Sequence, residues 1–265
     1  MKISLLPLLF GLAKCLRAPS QCSKPGQIAL VFSDGPVETS PDLVQTLADQ
    51  GIAATFMFST VNIDHPGVSN VIRQAVDEGH TVGLRTNPIY DFSEMNETEI
   101  REAIVGELNV LDEVSGQKTK YISINQPDVM NQTVLQVIED LDLILINYNY
   151  DMYGSSDDDQ DDMLNRWKLK LKSVRPQSSS YIVLQHDQRE SELGIVPEVV
   201  DMGSAAGYSF VNIEDCLSGV SMDGPAGAAG AGSSSDRSER TGTDRKNSAM
   251  SPILLMGCMS SIFFL

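Results

Sequence analysis

Two short polar clusters close apolar runs in this chain, and both carry groups able to move protons or hold a cation. The first, Ser33-Asp34-Gly35-Pro36, follows Ile28-Ala29-Leu30-Val31-Phe32. The second, His186-Asp187, follows Tyr181-Ile182-Val183-Leu184-Gln185. Asp34 offers a carboxylate to a metal or a proton. The same residue also fits as a plain turn cap, because Gly supplies permissive angles and Pro fixes φ in an Asp-Gly-Pro turn. His186 is a titratable group, and its plain reading is a structural hydrogen bond at a strand end. A Ser33–His186–Asp nucleophilic triad is conceivable, since such constellations arise on many folds, but the sequence brings no third member near.

The elements that must position these groups alternate. Strand-like runs cover 28–32, 53–58, 81–84, 120–124, 143–148, 181–185 and 208–213. Helical patterns cover 41–50, 68–78, 97–115, 133–140, 162–173 and 191–206, with apolar residues three and four apart, as in Val71, Ile72, Ala75 and Val76. Strands joined by helices imply a parallel sheet, and this number of strands in one domain favours closure into a barrel. Polar residues at the ends of such strands lie at the rim, where α/β enzymes build their sites. His80 reads as a packed or capping residue, His65 as a solvent-facing loop residue, and Trp167 as core. The acids Asp157, Asp158, Asp159, Asp161 and Asp162 lack the Gly and terminal Glu of a calcium loop and read as a solvated lead into a helix.

The chain has 265 residues and a formal charge of −17. That is long enough for one large domain with a core. The charge argues against nucleic acid and against a basic lipid-binding face; it is compatible with cationic partners such as partly deacetylated amino sugars. Residues 1–18 carry Lys2, an apolar stretch from Ile3 to Ala13 and a short polar region ending at Ala18, the pattern of a secretory signal. Residues 218–235 are rich in Gly, Ala and Ser and read as a flexible stalk. Residues 236–265 give a polar spacer and an apolar tail, which after Ser233-Ser234-Ser235 match a removed signal for a glycosylphosphatidylinositol (GPI) anchor attached at Ser233. The bland alternative is a single membrane-spanning helix. These ends predict a secreted, cell-surface protein held to membrane or wall by the anchor. Cys15 and Cys258 fall in the removed ends, leaving Cys22 and Cys216 to pair. Cleavage after Ala13 instead would leave Cys15 as an odd thiol, so parity favours Ala18. Asn96-Glu97-Thr98 and Asn131-Gln132-Thr133 are glycosylation acceptors by pattern.

The run from Cys22 to Pro36 resembles the opening of secreted chitin deacetylases of the polysaccharide deacetylase family, carbohydrate esterase family 4. The likeness continues through Gly51-Ile52-Ala53-Ala54-Thr55-Phe56-Met57-Phe58, Gly79-His80-Thr81-Val82-Gly83, Tyr181 to Asp187, and Tyr208-Ser209-Phe210-Val211 with Cys216. It covers residues 22–217. The resemblance implies a distorted (β/α) barrel of about seven strands and a metal-dependent hydrolysis of N-acetyl groups, with zinc or another divalent metal. It also implies roles. The family's catalytic base falls on Ser33, a metal-ligand Asp on Asp34, and two His ligands on Arg85 and Ile89. The third motif's Arg falls nearest Ser123, and the general acid His is retained as His186. The fourth motif is poorly matched around Asn149 and Asp151.

A catalytic zinc needs three protein ligands and an open position. Asp34 alone is one. Arg85 is worse than a neutral loss, because a permanent cation stands where a dication would. Metal lowers bound-water pKa from about 15.7 to about 7, so its loss is worth on the order of 12 kcal/mol. Ser33 has no base of its own with which to take a proton from water. Pairing of Arg85 with Asp34 is therefore expected, since it removes the cost of a carboxylate left without its metal. The leading expectation is a metal-free, non-enzymatic surface protein of cell wall or spore coat, with chitin or another wall glycan as candidate ligand and no cofactor. The others are a working chitin deacetylase with an altered ligand set, and a purely structural wall component.

Overall fold

A computed structural model of the chain describes residues 16–61, 63–153, 159–187 and 190–219. The expected stalk from residue 220 onward, the Ser233 attachment point, the apolar tail, Cys15, Cys258, Asp157 and Asp158 lie outside these residues. The strands are β1 (Gln27–Ser33), β2 (Thr55–Ser59), β3 (Thr81–Arg85), β4 (Tyr121–Ser123), β5 (Ile144–Leu145), β6 (Tyr150–Asp151), β7 (Tyr181–His186) and β8 (Ser209–Phe210). All pairings are parallel; the order runs β5-β4-β3-β2-β1-β7-β6, with β8 joined to β1. The sheet curls into the distorted (β/α) barrel that the sequence implies.

The helices form where local chemistry favours them. They are α1 (Ser40–Asp49), α2 (Pro66–Asp77), α3 (Glu97–Ser115), α4 (Gln132–Asp140), α5 (Gln160–Ser173), α6 (Glu190–Leu193), α7 (Val196–Ala205) and α8 (Ile213–Leu217). Helix α3 opens with a capping box, in which Asn96 accepts from the Thr98 and Glu99 amides and Glu99 accepts from the Asn96 amide; it closes at Gly116 with φ 72. Asp159 caps α5 by accepting from the Asp162 amide, so acids lead that helix. The expected helix 191–206 is broken in two. Pro197 at the start of α7 has no N–H to give and tolerates only the first turn, so the helix restarts there. The expected strand 143–148 pairs only over Ile144–Leu145; the chain then leaves and pairs again at β6, on the far side of β7.

Alternation along each strand separates two layers. Ile28, Leu30 and Phe32 of β1 join Phe56, Phe58, Val82, Leu84, Ile122, Val183 and Trp167 in the main core beneath the helices. Ala29, Val31, Met57, Tyr121, Ile144 and Ile182 form the other layer with Ile213, Cys22 and Cys216. Cys22 and Cys216 are joined in a disulfide that ties the start of the domain to α8 across 194 residues. At the other end of the strands, this second layer runs out into Ser33, Arg85, Ser123 and His186. At the sheet's free edge, residues 16–19 lie along β5, with Arg17 bridged to Ile144.

Candidate functional site

The site begins at the turn after β1. Asp34 has φ 81, a left-handed conformation that Asp tolerates better than most residues, and a cis Gly35-Pro36 bond follows. Gly35 is required for packing. A Cβ there would lie 1.6 Å from Asp187 Oδ2. Asp187 itself is buried; its Oδ2 accepts from the Ser40 hydroxyl at 3.1 Å, and its Oδ1 has no protein partner. Burial, with Asp34 adding to it against the Ser40 bond, pushes the Asp187 carboxyl up to about 7.

The register of β1 and β7 sets Ser33 opposite His186. The register of β3 and β4 likewise sets Arg85 opposite Ser123. Four positions that the sequence places far apart thus meet at one end of the sheet. Arg85 Nε donates to Asp34 Oδ1 at 2.9 Å, and Arg85 Nη1 donates to the Ile124 carbonyl. His186 Nε2 stands 3.8 Å from Asp34 Oδ2, and the Ser33 hydroxyl donates weakly to Asp34 Oδ1 at 3.4 Å. Among the described residues Asp34 is therefore a hub, with the Arg85 guanidinium on Oδ1 and the His186 imidazole beside Oδ2. Ser123 is buried and its hydroxyl has no protein partner. Ile89 is brought to a different place: its side chain is 75% exposed, turned to solvent.

Glu192 was not legible as a site residue. It is fully buried, accepts from the His186 amide at 2.9 Å through Oε2, and meets His186 Nδ1 at 3.2 Å through Oε1. A Glu within a short helix after β7 carries no sequence signal beyond its distance from His186. Burial pulls the His186 pKa down, but the Glu192 hydrogen bond and the charges of Glu192, Asp34 and Asp151 outweigh it and raise the value. Asp151, on β6, is pushed up to about 6 by burial, against the pull of His186. Tyr153 lies edge-on to the His186 ring, 6.1 Å between centroids.

The other histidines are structural. His80 is buried; Nδ1 accepts from the Ala54 amide, and Nε2 lies 3.2 Å from the Val44 carbonyl. His65 is exposed and caps α2. Trp167 is core, donating to the Val199 carbonyl. Asn96 sits exposed at the head of α3. Asn131 heads α4 with its Nδ2 donating to the Phe92 carbonyl.

The residues present do not fit a divalent metal. Of the three positions that the resemblance assigns to metal ligands, only Asp34 carries a lone pair for a metal; Arg85 is a cation bonded to that carboxylate, and Ile89 is an exposed hydrocarbon. Among the described residues no group of three or more His, Cys, Asp or Glu side chains is arranged to hold a metal ion.

Residues 20–146 match the family model described as polysaccharide deacetylase. The chitin deacetylase of Colletotrichum lindemuthianum is 25% identical over 210 residues, covering 74% of this chain and 82% of that protein. Its solved structure superposes with a TM-score of 0.67 at 23% identity, covering 76% of this chain and 91% of that one. A CE4 family pseudoenzyme from Bacillus anthracis superposes with a TM-score of 0.65 at 17% identity, covering 77% of this chain and 69% of that one. A mutant of that pseudoenzyme is described as having restored enzymatic activity. Sequence and fold agree: residues 20–146 resemble the polysaccharide deacetylase family, and the described domain has the fold of the chitin deacetylase structure.

Proposed function

We propose that this protein is a chitin deacetylase-like surface protein that binds a wall glycan and lacks the metal-dependent hydrolysis of its family. One observation carries the reading: the Arg85 guanidinium lies 2.9 Å from Asp34, the sole ligand-type side chain at the family's metal positions. A fixed positive charge there repels a divalent cation and satisfies the carboxylate that would bind it. The family's hydrolytic water loses its activator, and Ser33, whose hydroxyl points to Asp34, is no base. Relatives named chitin deacetylase and peptidoglycan-N-acetylglucosamine deacetylase support a glycan-directed protein, and a pseudoenzyme among the structural neighbours is a precedent for this fold without the activity. Export, N-glycosylation at Asn96 and Asn131, and a GPI anchor at Ser233 complete the proposal and place the protein at the cell surface, in wall or spore coat.

Incubation of the secreted domain with N-acetylglucosamine oligomers and added zinc tests the catalytic half: no acetate release above the buffer rate is expected, and steady release refutes it. Calorimetric titration of the same oligomers tests the binding half. Saturable binding supports a glycan ligand; none leaves a purely structural wall component.

A further inference from the structure

The free edge of β5 is covered by residues 16–19. The Leu145 amide donates to the Arg17 carbonyl at 2.9 Å, and the Asn147 amide donates to the Pro19 carbonyl at 3.2 Å. Donors two apart on one strand meet acceptors two apart on the other, which is the spacing of a parallel ladder. The intervening amides turn the opposite way, Ile144 to the Lys120 carbonyl and Ile146 to the Ile122 carbonyl of the β4 side. Side chains join in. Arg17 donates to the Asp142 carbonyl at 2.8 Å and to Asp142 Oδ1 at 2.9 Å, at a turn where Asp142 has φ 58. Leu16 and Ala18 pack against the main core. These four residues behave as one more strand of the domain, closing an edge that would otherwise present unpaired amides.

We infer that leader removal ends before Leu16, after Ala13, so that residues 14–19 stay with the exported protein. A cut after Ala18 would discard Arg17, its ion pair and one rung of the ladder. It would also require hydrolysis of the Ala18–Pro19 bond, a tertiary amide whose proline restrains the residue before it. Gly11-Leu12-Ala13 instead puts small residues at the last and third-last positions of the leader, the pattern of a cleavage site. Water adds to the Ala13 carbonyl, the bond to Lys14 breaks, Ala13 keeps a carboxylate, and the Lys14 amine takes the proton. Cys15 then remains in the exported chain, against the parity argument, because the edge strand is retained with it. The cut rests on the exported reading given above; the edge pairing does not.

The full chain is expressed in a secreting eukaryotic host, and the N-terminus of the secreted protein is read by sequencing and intact mass. A start at Lys14 is expected. A start at Pro19 or beyond overturns the inference, and so does an uncut Met1, which sinks the exported reading as well. Hydrogen exchange provides an arm independent of processing. The Leu145 and Asn147 amides are protected in protein starting at Lys14. In protein made to start at Ser20 their exchange quickens by roughly tenfold or more. Equal protection in the two proteins refutes the edge strand itself.

Discussion

If Arg85 replaces the metal's charge, the Arg85–Asp34 pair must couple energetically. The pair lies between two regimes. Exposed pairs contribute about 0–1 kcal/mol, and breaking a fully buried pair costs about 3–5 kcal/mol. Here the two side chains retain 20% and 28% of their exposure, and the bond is single and short at 2.9 Å. Interpolation gives a coupling of about 1.5 kcal/mol, and about 2 kcal/mol for Arg85→Met alone, since that change also frees the Ile124 carbonyl. In a domain of this size 2 kcal/mol lowers Tm by about 4–8 °C. Asp34→Asn keeps the left-handed backbone acceptable while removing the charge. Urea unfolding of the parent, both single variants and the double variant closes the cycle. Coupling below about 0.3 kcal/mol, the ordinary additivity error, would refute the pairing argument. So would an Arg85→Met variant more stable than the parent.

Other consequences follow from the same contacts. Gly35→Ala drives a methyl group into the buried Asp187 carboxylate and is expected to abolish soluble expression or cost more than about 3 kcal/mol by urea unfolding; a near-neutral result contradicts the packing. Glu107 is buried in α3 and accepts from the Thr60 hydroxyl and the Asn87 amide, joining the segments after β2 and β3; Glu107→Ala orphans both donors and should cost about 1–3 kcal/mol in the same assay. His80 is held neutral, its pKa lowered by burial, so the unfolded chain binds a proton that the folded one refuses. Its contribution to stability is complete above its unfolded value of about 6.5 and declines as pH falls through the lower folded value; the difference in urea midpoint between parent and His80→Asn should therefore shrink from pH 7.5 to pH 5. Reduction of Cys22–Cys216 opens a loop of 194 residues and should cost about 5 kcal/mol, read as a lower Tm in reductant that Cys22→Ser/Cys216→Ser reproduces.

Much of this architecture was legible because it is local. The apolar run of β1 ending in Asp-Gly-Pro and the 3.6-residue pattern of α3 are written in neighbouring residues. The break at Pro197 was missed, because apolar periodicity runs straight through it. The pairing of β6 with β7 was not legible, since it depends on where the sheet's two edges lie. The site divides the same way. Asp34 and His186 stood out by position at strand ends, and Arg85 by comparison with the family's motif. That Ser33 faces His186 follows only from the register of strands far apart in sequence. Glu192 escaped because a buried carboxylate in a helix looks, in sequence, like any exposed one.

The most direct test of the central claim is zinc content. The secreted, disulfide-bonded domain is equilibrated with zinc, freed of excess by dialysis and analysed by elemental mass spectrometry beside Asp34→Asn. The account predicts substoichiometric zinc that is the same in both proteins. One zinc per chain in the parent, lost in Asp34→Asn, would contradict it.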